Sequence, residues 1–371
     1  MKTVRHTANP QLKDITEKVM DGVRITPEEG VFLYESTDMS VLGLLAVAVK
    51  KRFSGEKVFF NHNFHIEPTN KCIYSCKFCS YHESENDPES WEYSHEEIID
   101  IVKRFDGKPV TEVHIVGGVH PNHDVWYWGG LIEKIKKYRP EIHIKAFSAV
   151  EIDYMTQKAG LTIEAGLRIL KDFGLNSIPG GGAEIFDEEL RKKICAEKPS
   201  AELWLFIHET AHNLGIKSNA TMLYGHLETY AHRIDHLNRL RKLQDQTNGF
   251  NSFIPLKFRK ENNKMSNLGE VSIMEDLKNY AVSRLFLDNF PHIKAYLPMI
   301  GKETAQLALL FGVDDLDGDI DNTTKIYSTE KKLSITTEQL STLILQAGYK
   351  PEERDSHYNS TQSNPPLNYL F

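Results

Sequence analysis

Three of the four cysteines lie within eight residues of one another, in the stretch "NKCIYSCKFCSYHE". Cys72, Cys76 and Cys79 have the spacing C-x₃-C-x₂-C. A structural zinc site usually has four protein ligands, and an ordinary ferredoxin cluster has four cysteines. Three clustered thiols therefore predict a metal centre in which one coordination position is left open.

The spacing admits three interpretations of this cysteine loop. His82 could complete a structural zinc site, which would make the chain a zinc-stabilised binding protein without redox chemistry. Cys195 could complete a four-cysteine electron-transfer cluster, although it lies far away in the sequence. The third interpretation is a [4Fe–4S] cluster with one iron free to bind a substrate. We favour it because soft thiolates suit iron–sulfur clusters and an iron without a protein ligand can bind a small molecule.

Two glycine-rich segments and one polar strand are further candidates for ligand contact. Gly117 and Gly118 lie in "VGGVHP", and three consecutive glycines lie in "IPGGGAE". Glycine lets a ligand approach the backbone closely, and three in succession are costly in a fold without such a reason. In "SNATMLYGH", alternation along an extended strand places Asn219 and Thr221 on the same face. Polar residues that face the inside of a sheet or barrel indicate a bound ligand.

The elements that must position these residues alternate along the chain. Short β-rich runs are predicted at 57–66, 112–118, 142–149, 175–180, 216–225, 252–258 and 293–299, with a weaker eighth at 313–320. Helical patterns are predicted at 126–138, 162–173, 200–214, 229–246, 272–290 and 302–311. This alternation predicts an α/β fold with right-handed crossovers and a parallel sheet. A closed, TIM-type (β/α) barrel fits the number of strands best, and a doubly wound open sheet is the alternative.

The predicted barrel spans residues 55–330, preceded by a helical segment at 1–54 and followed by a helix and tail at 331–371. In such barrels the functional groups lie on the loops after the strands. The cysteine loop follows the first predicted strand, "GGVHP" the second, "SAVE" the third, "PGGGAE" the fourth and "YGH" the fifth. The candidate residues are therefore expected to meet at one end of the barrel.

Composition excludes several classes of protein. The 371 residues are 40% hydrophobic and 26% charged, which is enough for a large buried core. A net charge of −8 argues against a nucleic-acid partner. The longest apolar run, "VLGLLAVAV", is about half of what a membrane span needs. Four cysteines without a disulfide pattern predict a cytoplasmic protein in a reducing compartment.

The cysteine loop resembles the signature of the radical S-adenosylmethionine (SAM) superfamily, C-x₃-C-x-F-C, with Phe78 before Cys79. The resemblance implies a radical SAM barrel in which Cys72, Cys76 and Cys79 hold a [4Fe–4S] cluster and SAM chelates the fourth iron. An external donor such as flavodoxin or ferredoxin would supply an electron to the cluster. Transfer of this electron from the reduced cluster to SAM would then yield a 5′-deoxyadenosyl radical. The implied SAM-binding residues are Phe78, Gly117, Gly118, Ser148 and Glu184, with the glycines at the SAM amino group and Glu184 at the ribose hydroxyls.

A finer resemblance extends through "IHIKAFSAVEID", "LNSIPGGGAEIFDEELRKKIC" and "HETAHNLGIKSNATMLYGHLET". These segments are similar to the aminofutalosine synthase family of the futalosine route to menaquinone. The related dehypoxanthine futalosine cyclases, which abstract hydrogen, are the alternative. "HIEPTN" and "ICAEKPS" depart from the family pattern.

The finer resemblance implies a transferase that adds the 5′-deoxyadenosyl radical to the double bond of 3-[(1-carboxyvinyl)oxy]benzoate. Rearrangement and loss of one carboxyl carbon would give 6-amino-6-deoxyfutalosine. The acceptor carries two carboxylates, so fixed hydrogen-bond donors are expected around it. The candidates for these donors and for acid–base roles are Asn219, His65, Lys145, Arg191 and His226.

Overall fold

The structure is a computed structural model that describes residues 9–36, 38–319 and 335–361. Its centre is a barrel of eight parallel strands, closed where the first strand pairs with both the second and the eighth. The strands are β1 (Lys57–Ile66), β2 (Glu112–Ile115), β3 (His143–Ala146), β4 (Ser177–Ile178), β5 (Lys217–Tyr224), β6 (Phe250–Lys257), β7 (His292–Tyr296) and β8 (Asp315–Asp319). The predicted TIM-type barrel and its eight strands, including the weak eighth, are confirmed.

The helices cover the outside of the barrel. Three precede it: α1 (Pro10–Met20), α2 (Pro27–Glu35) and α3 (Met39–Ser54). The others are α4 (His95–Lys103), α5 (Val125–Tyr138), α6 (Ala149–Lys158), α7 (Ile163–Phe173), α8 (Glu188–Cys195), α9 (Ala201–Asn213), α10 (Tyr230–Thr247), α11 (Ile273–Phe286), α12 (Leu297–Ile300), α13 (Lys302–Ala308) and α14 (Thr337–Gln346). The sequence patterns did not predict α4, α6, α8 or α12, which are short, and α12 occupies the end of the strand predicted at 293–299. None of the helices in the described part of the chain is long and apolar enough to cross a membrane.

The alternation of side chains along β1 shows how the barrel separates two environments. Phe60 and Phe64 are fully buried in the apolar core under the helices. Between them, Asn63 faces inward, where its side chain donates to the Asp317 carboxylate over 2.8 Å. Because successive residues of a strand point to opposite faces, one strand contributes both to the core and to the barrel interior. The interior of the barrel is polar, and the candidate active site lies there.

The N-terminal helices α1, α2 and α3 are part of the helical layer. Helix α3 packs against α11, and α2 packs against α10 and α11. The close approach of α2 depends on Gly30, where a Cβ atom would lie 2.6 Å from the Ile234 side chain. These contacts bury Leu33, Leu42 and Leu45 completely, so the segment stabilises one side of the barrel.

The C-terminal segment differs from the expected helix and tail. The helix is present as α14, but Lys350–Glu353 then form a ninth strand, β9, parallel to the first half of β1. Beyond it the chain packs against the N-terminal end of the barrel, where Arg354 forms an ion pair of 2.6 Å with Asp315 and the Ser356 hydroxyl donates to Glu112. Buried charges inside the barrel thus hold the described part of the predicted tail, residues 355–361, in place. The predicted boundary between 330 and 331 lies outside the described residues.

Candidate active site

The cysteine loop is fixed against three neighbouring parts of the fold. Its start is held by the Cys72 amide, which donates to Glu83 O over 3.0 Å, and by the Val119 amide, which donates to the Cys72 sulfur over 3.3 Å. In its middle, the Lys77 amide donates to Ile194 O at the end of α8. The loop therefore has one defined conformation at the C-terminal end of β1, which is where the sequence predicted it.

The three thiols and His82 do not form a compact group of the size that surrounds a single metal ion. Within the described residues, the groups of metal-ligating atoms that lie within 4.8 Å of one another do not include the three cysteines. Thiolates around a single zinc ion at about 2.3 Å would be only about 3.8 Å apart. Thiolates that bind different irons of one cluster are more widely spaced. The arrangement therefore fits a [4Fe–4S] cluster better than the zinc site with His82.

The thiols differ in their electrostatic surroundings. Burial raises the pKa of Cys76 to about 12 and also raises the pKa of Cys72. For Cys79, burial acts in the same direction, but hydrogen bonds from His82 and from the backbone outweigh it and lower the pKa. Iron binds the thiolate, so cluster assembly must remove the protons from the two buried thiols. The hydrogen bond from His82 thus favours the thiolate form of Cys79.

The glycines after β2 lie against the cysteine loop. A Cβ at Gly118 would lie 2.2 Å from Lys71 O, and one at Gly117 would lie 2.9 Å from Thr69 O. Such distances are far below van der Waals contact, so only glycine fits here. The Gly118 amide also donates to Thr69 O over 2.8 Å. These two glycines therefore set the position of the chain that leads into Cys72.

The loop after β3 begins helix α6 with a capping box. The Ser148 hydroxyl accepts from the Glu151 amide, and the Glu151 carboxylate accepts from the Ser148 amide over 2.7 Å. The other oxygen of Glu151 accepts from the Gly117 amide over 3.2 Å. Phe147, just before it, has a positive φ of 62°, which is strained for a non-glycine residue. Glu151 therefore connects the loop after β2 to the loop after β3 through hydrogen bonds.

Burial of Glu151 has a consequence for the pH dependence of stability. Burial raises its pKa from the usual 4.5 to about 7, against hydrogen bonds from Ser148 and Gly117 that lower it. The folded protein therefore holds this proton more tightly than the unfolded chain does, and the resulting stability is lost as the pH rises from about 4.5 to about 7. We expect Glu151→Gln to remove this dependence.

The measurement is the difference in unfolding midpoint between Glu151→Gln and the parent protein, followed from about pH 5 to about pH 8. The difference should move in favour of the variant as the pH increases. Glu133→Gln, an exposed residue on α5, is the matched control and should show no trend. A difference that stays constant over this range for Glu151→Gln would contradict the assignment.

The "PGGGAE" loop after β4 approaches β5 closely. A Cβ at Gly180 would lie 2.8 Å from backbone atoms of Asn219, Ala220 and Thr221, and the Thr221 hydroxyl donates to Gly180 O over 2.6 Å. The loop ends at Glu184, which has a positive φ of 47°. Its carboxylate accepts a 2.7 Å hydrogen bond from Lys198. Gly180 is therefore required by packing, and the loop brings the Glu184 carboxylate to the mouth of the barrel.

These loops surround a cavity of about 310 Å³ that extends into the barrel. Its mouth is lined by residues of four loops: Phe78, Cys79, Gly117, Ser148, Glu184 and Lys198. Its inner wall is formed by side chains that point inward from the strands, among them His65, His114, Lys145, Asn219, Lys294 and Asp317. The cysteine loop and the polar interior thus belong to one continuous space.

The floor of the cavity is charged but balanced. Lys145 pairs with Glu112 over 2.8 Å, and Lys294 pairs with Asp317 over 3.2 Å. Burial favours the neutral form of Glu112, yet Lys145 and other nearby cations hold its pKa well below the usual range. Burial lowers the pKa of His114 well below its usual value, so this ring is neutral. Each carboxylate of the floor therefore has its own ammonium partner.

The structure places two of the sequence candidates away from the cavity. Arg191 lies on α8, where its guanidinium donates to the carbonyls of Ala183 and Ile185 and so supports the "PGGGAE" loop. His226 is fully buried beside Glu228, with its ring close to Leu223 O. His65, Lys145 and Asn219 do line the cavity. The candidates on strands are brought together, whereas Arg191 and His226 are not.

Several residues that line the site were not identified from the sequence. Glu112, Lys294 and Asp317 are inward-facing strand residues, and their charge in a buried strand could have indicated an inner ion pair. Lys198 follows α8 in a loop and becomes part of the mouth only through its contact with Glu184. Arg259 follows β6, lines the cavity and forms an ion pair of 3.2 Å with Glu270.

A second group of titratable residues lies beside the cysteine loop, outside the cavity. Glu92 contacts His120 over 3.1 Å, contacts His123 closely and pairs with Lys71 over 3.1 Å. The Asn122 amide donates to Nδ1 of His120, which leaves the proton of this neutral ring on Nε2, toward Glu92. The group is a hydrogen-bonded ion cluster that ties the segment before α4 to the loop after β2.

Comparison with known families matches two adjacent regions. Residues 66–240 match the radical SAM superfamily, and residues 247–366 match the CofH/MqnC C-terminal region. Among solved structures, the chain is similar to methylornithine synthase (PylB), with a TM-score of 0.71 and 20% identity over 91% of this chain and 97% of that one. It is also similar to HydG, a maturase of the [FeFe]-hydrogenase, with a TM-score of 0.74 and 16% identity over 95% and 77% of the two chains. These structures support the fold.

Curated relatives are closer. An aminodeoxyfutalosine synthase of Thermus thermophilus is 41% identical over 97% of this chain and 98% of its own length. The same identity is found with an aminodeoxyfutalosine synthase of Streptomyces coelicolor over 93% of each chain. A cyclic dehypoxanthine futalosine synthase of Streptomyces coelicolor is 34% identical over 95% of this chain and 89% of its own. With its three cysteines in one loop, its closed barrel and this similarity over nearly the whole length, the chain belongs to the aminodeoxyfutalosine synthase family of the radical SAM superfamily.

Proposed function

We propose that this chain is an aminodeoxyfutalosine synthase, a transferase that joins the adenosyl part of SAM to 3-[(1-carboxyvinyl)oxy]benzoate. The product would be 6-amino-6-deoxyfutalosine, formed with loss of one carboxyl carbon and release of methionine, in the futalosine route to menaquinone. The observation that carries the proposal is the 41% identity to synthases over nearly the full length, against 34% to the cyclic dehypoxanthine futalosine synthase.

Cys72, Cys76 and Cys79 would hold three irons of a [4Fe–4S] cluster, and the fourth iron would remain for SAM. When bound, the cluster supplies the electron that cleaves SAM to the 5′-deoxyadenosyl radical. The chain's own contribution is a partly enclosed site: Cys76 is buried, and Cys79, which is partly exposed, lines the mouth of the cavity. Excluding water protects a reactive radical from side reactions. The spacing of the three thiols supports this assignment.

The SAM molecule would lie across the mouth of the cavity. Gly117 and Gly118 leave no room for side chains, so their backbone could meet the methionyl amine directly. Ser148 and Glu184 lie on the next two loops, where they could accept from the ribose hydroxyls. Phe78 precedes Cys79 at the same rim. The proposal for these residues is supported by their common place around one opening.

The dicarboxylate acceptor would enter the inner part of the cavity. Among the described residues nothing bonds to the Asn219 carboxamide, which faces this space and can donate to a carboxylate. Lys145 and His65 line the same wall, although Lys145 is already paired with Glu112. At the rim, the Arg259 guanidinium donates to Met299 O over 2.9 Å and pairs with Glu270 over 3.2 Å, so a carboxylate of the acceptor would share it with these groups. Asn219 and Arg259 are thus the proposed anchors at the two ends of the acceptor.

The reaction also needs a source of single electrons, for which we propose a small external carrier such as flavodoxin or ferredoxin. The four cysteines of the chain are all free thiols. Free thiols and an oxygen-sensitive cluster both indicate a reducing compartment, for which we propose the cytoplasm.

The test is an anaerobic assay with the reconstituted protein, dithionite, SAM and 3-[(1-carboxyvinyl)oxy]benzoate, with the products identified by mass spectrometry. SAM labelled with ¹³C in the ribose should give a nucleoside that retains the whole label, together with methionine. Free 5′-deoxyadenosine as the only nucleoside product would overturn synthase activity and favour the cyclase alternative. No SAM cleavage by a protein with full iron and sulfide content would overturn the radical mechanism itself.

A further inference from the structure

Lys198 is a buried cation at the mouth of the cavity whose role the function above does not use. Its side chain is only 14% exposed, and its ammonium donates to the Glu184 carboxylate over 2.7 Å. The same ammonium lies 5.2 Å from the centre of the Phe78 ring, in the middle of the cysteine loop. The position of Lys198 is fixed by its amide, which donates to Cys195 O over 3.0 Å. A single positive charge is therefore held between the cysteine loop and the "PGGGAE" loop.

The two charges of this pair act in opposite directions on the cysteine loop. The Lys198 ammonium lies over the ring of Phe78, which immediately precedes the proposed ligand Cys79, and the Glu184 carboxylate is bound to that ammonium. Burial disfavours the charged form of Lys198, but negative charge beside it, including the Glu184 carboxylate, raises its pKa well above the usual value. The ammonium is thus charged at neutral pH. Both charges therefore lie beside the segment that carries Cys79.

We propose that Lys198 and Glu184 set the reduction potential of the iron–sulfur cluster as a pair of opposite charges, Lys198 raising it and Glu184 lowering it. The inference rests on the cluster assigned under the proposed function. Lys198 acts in it as a positioning residue, because it places a charge beside the cluster and contacts no reacting atom.

The physical reason is that reduction adds one negative charge to a cluster that already carries three thiolates. A buried cation nearby stabilises the reduced form, and a buried anion destabilises it. Such effects are strong only where water does not screen them, and both side chains are largely buried. When SAM binds, its ribose would engage Glu184 and so weaken the opposing charge. The pair would then make the cluster easier to reduce when the substrate is present.

The experiment is a redox titration of the reconstituted protein without SAM, followed by the electron paramagnetic resonance signal of the reduced cluster. Lys198→Met removes the cation, Glu184→Gln removes the anion, and the double variant removes both. Lys198→Arg keeps the charge and is the conservative variant. Lys264→Met is the matched control, because Lys264 is exposed although its amide donates to Lys77 O in the cysteine loop.

The expected result is a shift of opposite sign in the two single variants. The potential should become more negative in Lys198→Met and less negative in Glu184→Gln, and the double variant should return toward the parent value. Lys198→Arg and Lys264→Met should both remain close to the parent protein. A merely structural role of the pair would move both single variants in the same direction, since each leaves one buried charge without its partner.

Three outcomes would overturn the inference: shifts of the same sign, no shift, or a Lys198→Arg variant that behaves like Lys198→Met. Should Lys198→Met assemble no cluster, Glu184→Gln and the double variant still decide, because the potential must rise in the first and fall back in the second. Failure of the parent protein to assemble a cluster would instead overturn the proposed function. A parent that cleaves SAM while its variants lack the sign pattern would overturn only the role of the pair.

Discussion

Replacing Cys76 with serine is expected to leave the protein without an iron–sulfur cluster and without detectable cleavage of SAM. Cys76 is the most buried of the three clustered cysteines, with 6% exposure. A serine oxygen is a hard and weakly acidic ligand, whereas iron in these clusters is bound by soft thiolates. Two remaining cysteines cannot hold three irons of the cluster. Iron and sulfide content, visible absorption and the yield of methionine from SAM measure the loss.

Cys195→Ser is the control because Cys195 is buried like Cys76 and lies close to the same loop at the end of α8. If the cluster has three cysteine ligands, this variant should keep the iron content and the activity of the parent. A four-cysteine electron-transfer cluster predicts the reverse, with Cys195→Ser unable to assemble it. An intact cluster in Cys76→Ser would contradict the ligand assignment. The pair of variants therefore separates the two cluster interpretations, and the iron and sulfide content of the parent protein distinguishes both of them from the zinc site.

The barrel was predictable because its signals are local. Runs such as "KVFFNHNFHI" and "SNATMLY" have the length and alternation of strands that bury one face. Their regular alternation with helical patterns leaves few topologies, since parallel strands need crossover connections. The short helix α8 was missed because its eight residues carry three lysines or arginines and only a brief apolar stripe. Local patterns therefore predicted the number and order of the barrel strands, but not all of the helices between them.

The partners inside the site were not predictable to the same degree. Asn219 was inferred because alternation along β5 shows which face it occupies. Its neighbours in the cavity come from other strands, and the pairs Lys145–Glu112 and Lys294–Asp317 join residues more than twenty positions apart. Nothing in the sequence states which strand side chains meet at the same level of a barrel. Arg191 shows the opposite case, a residue of suitable chemistry whose helix turns it toward backbone carbonyls.

The C-terminal segment shows why polarity alone misleads. The sequence predicts only a tail after the C-terminal helix, because "RDSHYNS" contains no apolar run. In the structure Tyr358 stacks on His292 with ring centres 3.7 Å apart, and Arg354 is almost fully buried against Asp315. The barrel interior at this end carries charged groups that need partners, because unpaired buried charge is costly. A polar segment is therefore the complement that this end of the barrel requires.

The second large effect is expected from Gly118→Ala, the smallest possible change next to the cysteine loop. The added Cβ would lie 2.2 Å from Lys71 O and 3.0 Å from the carbonyl carbon of Asn70. These are backbone atoms, so no side-chain rotation relieves the overlap. Lys71 immediately precedes Cys72, and its own amide is held by the Thr69 hydroxyl over 3.0 Å. Relief of the overlap must therefore shift the chain that carries the first cluster ligand.

We expect Gly118→Ala to fold, with a loss of about 1–3 kcal/mol in the free energy of unfolding, as for other overpacked sites. Activity should fall much further, by about 100-fold, because a displacement near 1 Å at a reacting centre has an effect of that order. The measurements are SAM binding by calorimetry, SAM cleavage under saturating dithionite, and chemical denaturation.

Gly130→Ala is the matched control. Gly130 lies in α5, and a Cβ at this position would have its nearest neighbour 3.8 Å away, at His95. In a helix this substitution should be neutral or stabilise the protein by up to about 1 kcal/mol. Unchanged SAM cleavage in Gly118→Ala would mean that the cysteine loop moves without cost, and the rigid contact between the two loops would then have no part in holding the cluster.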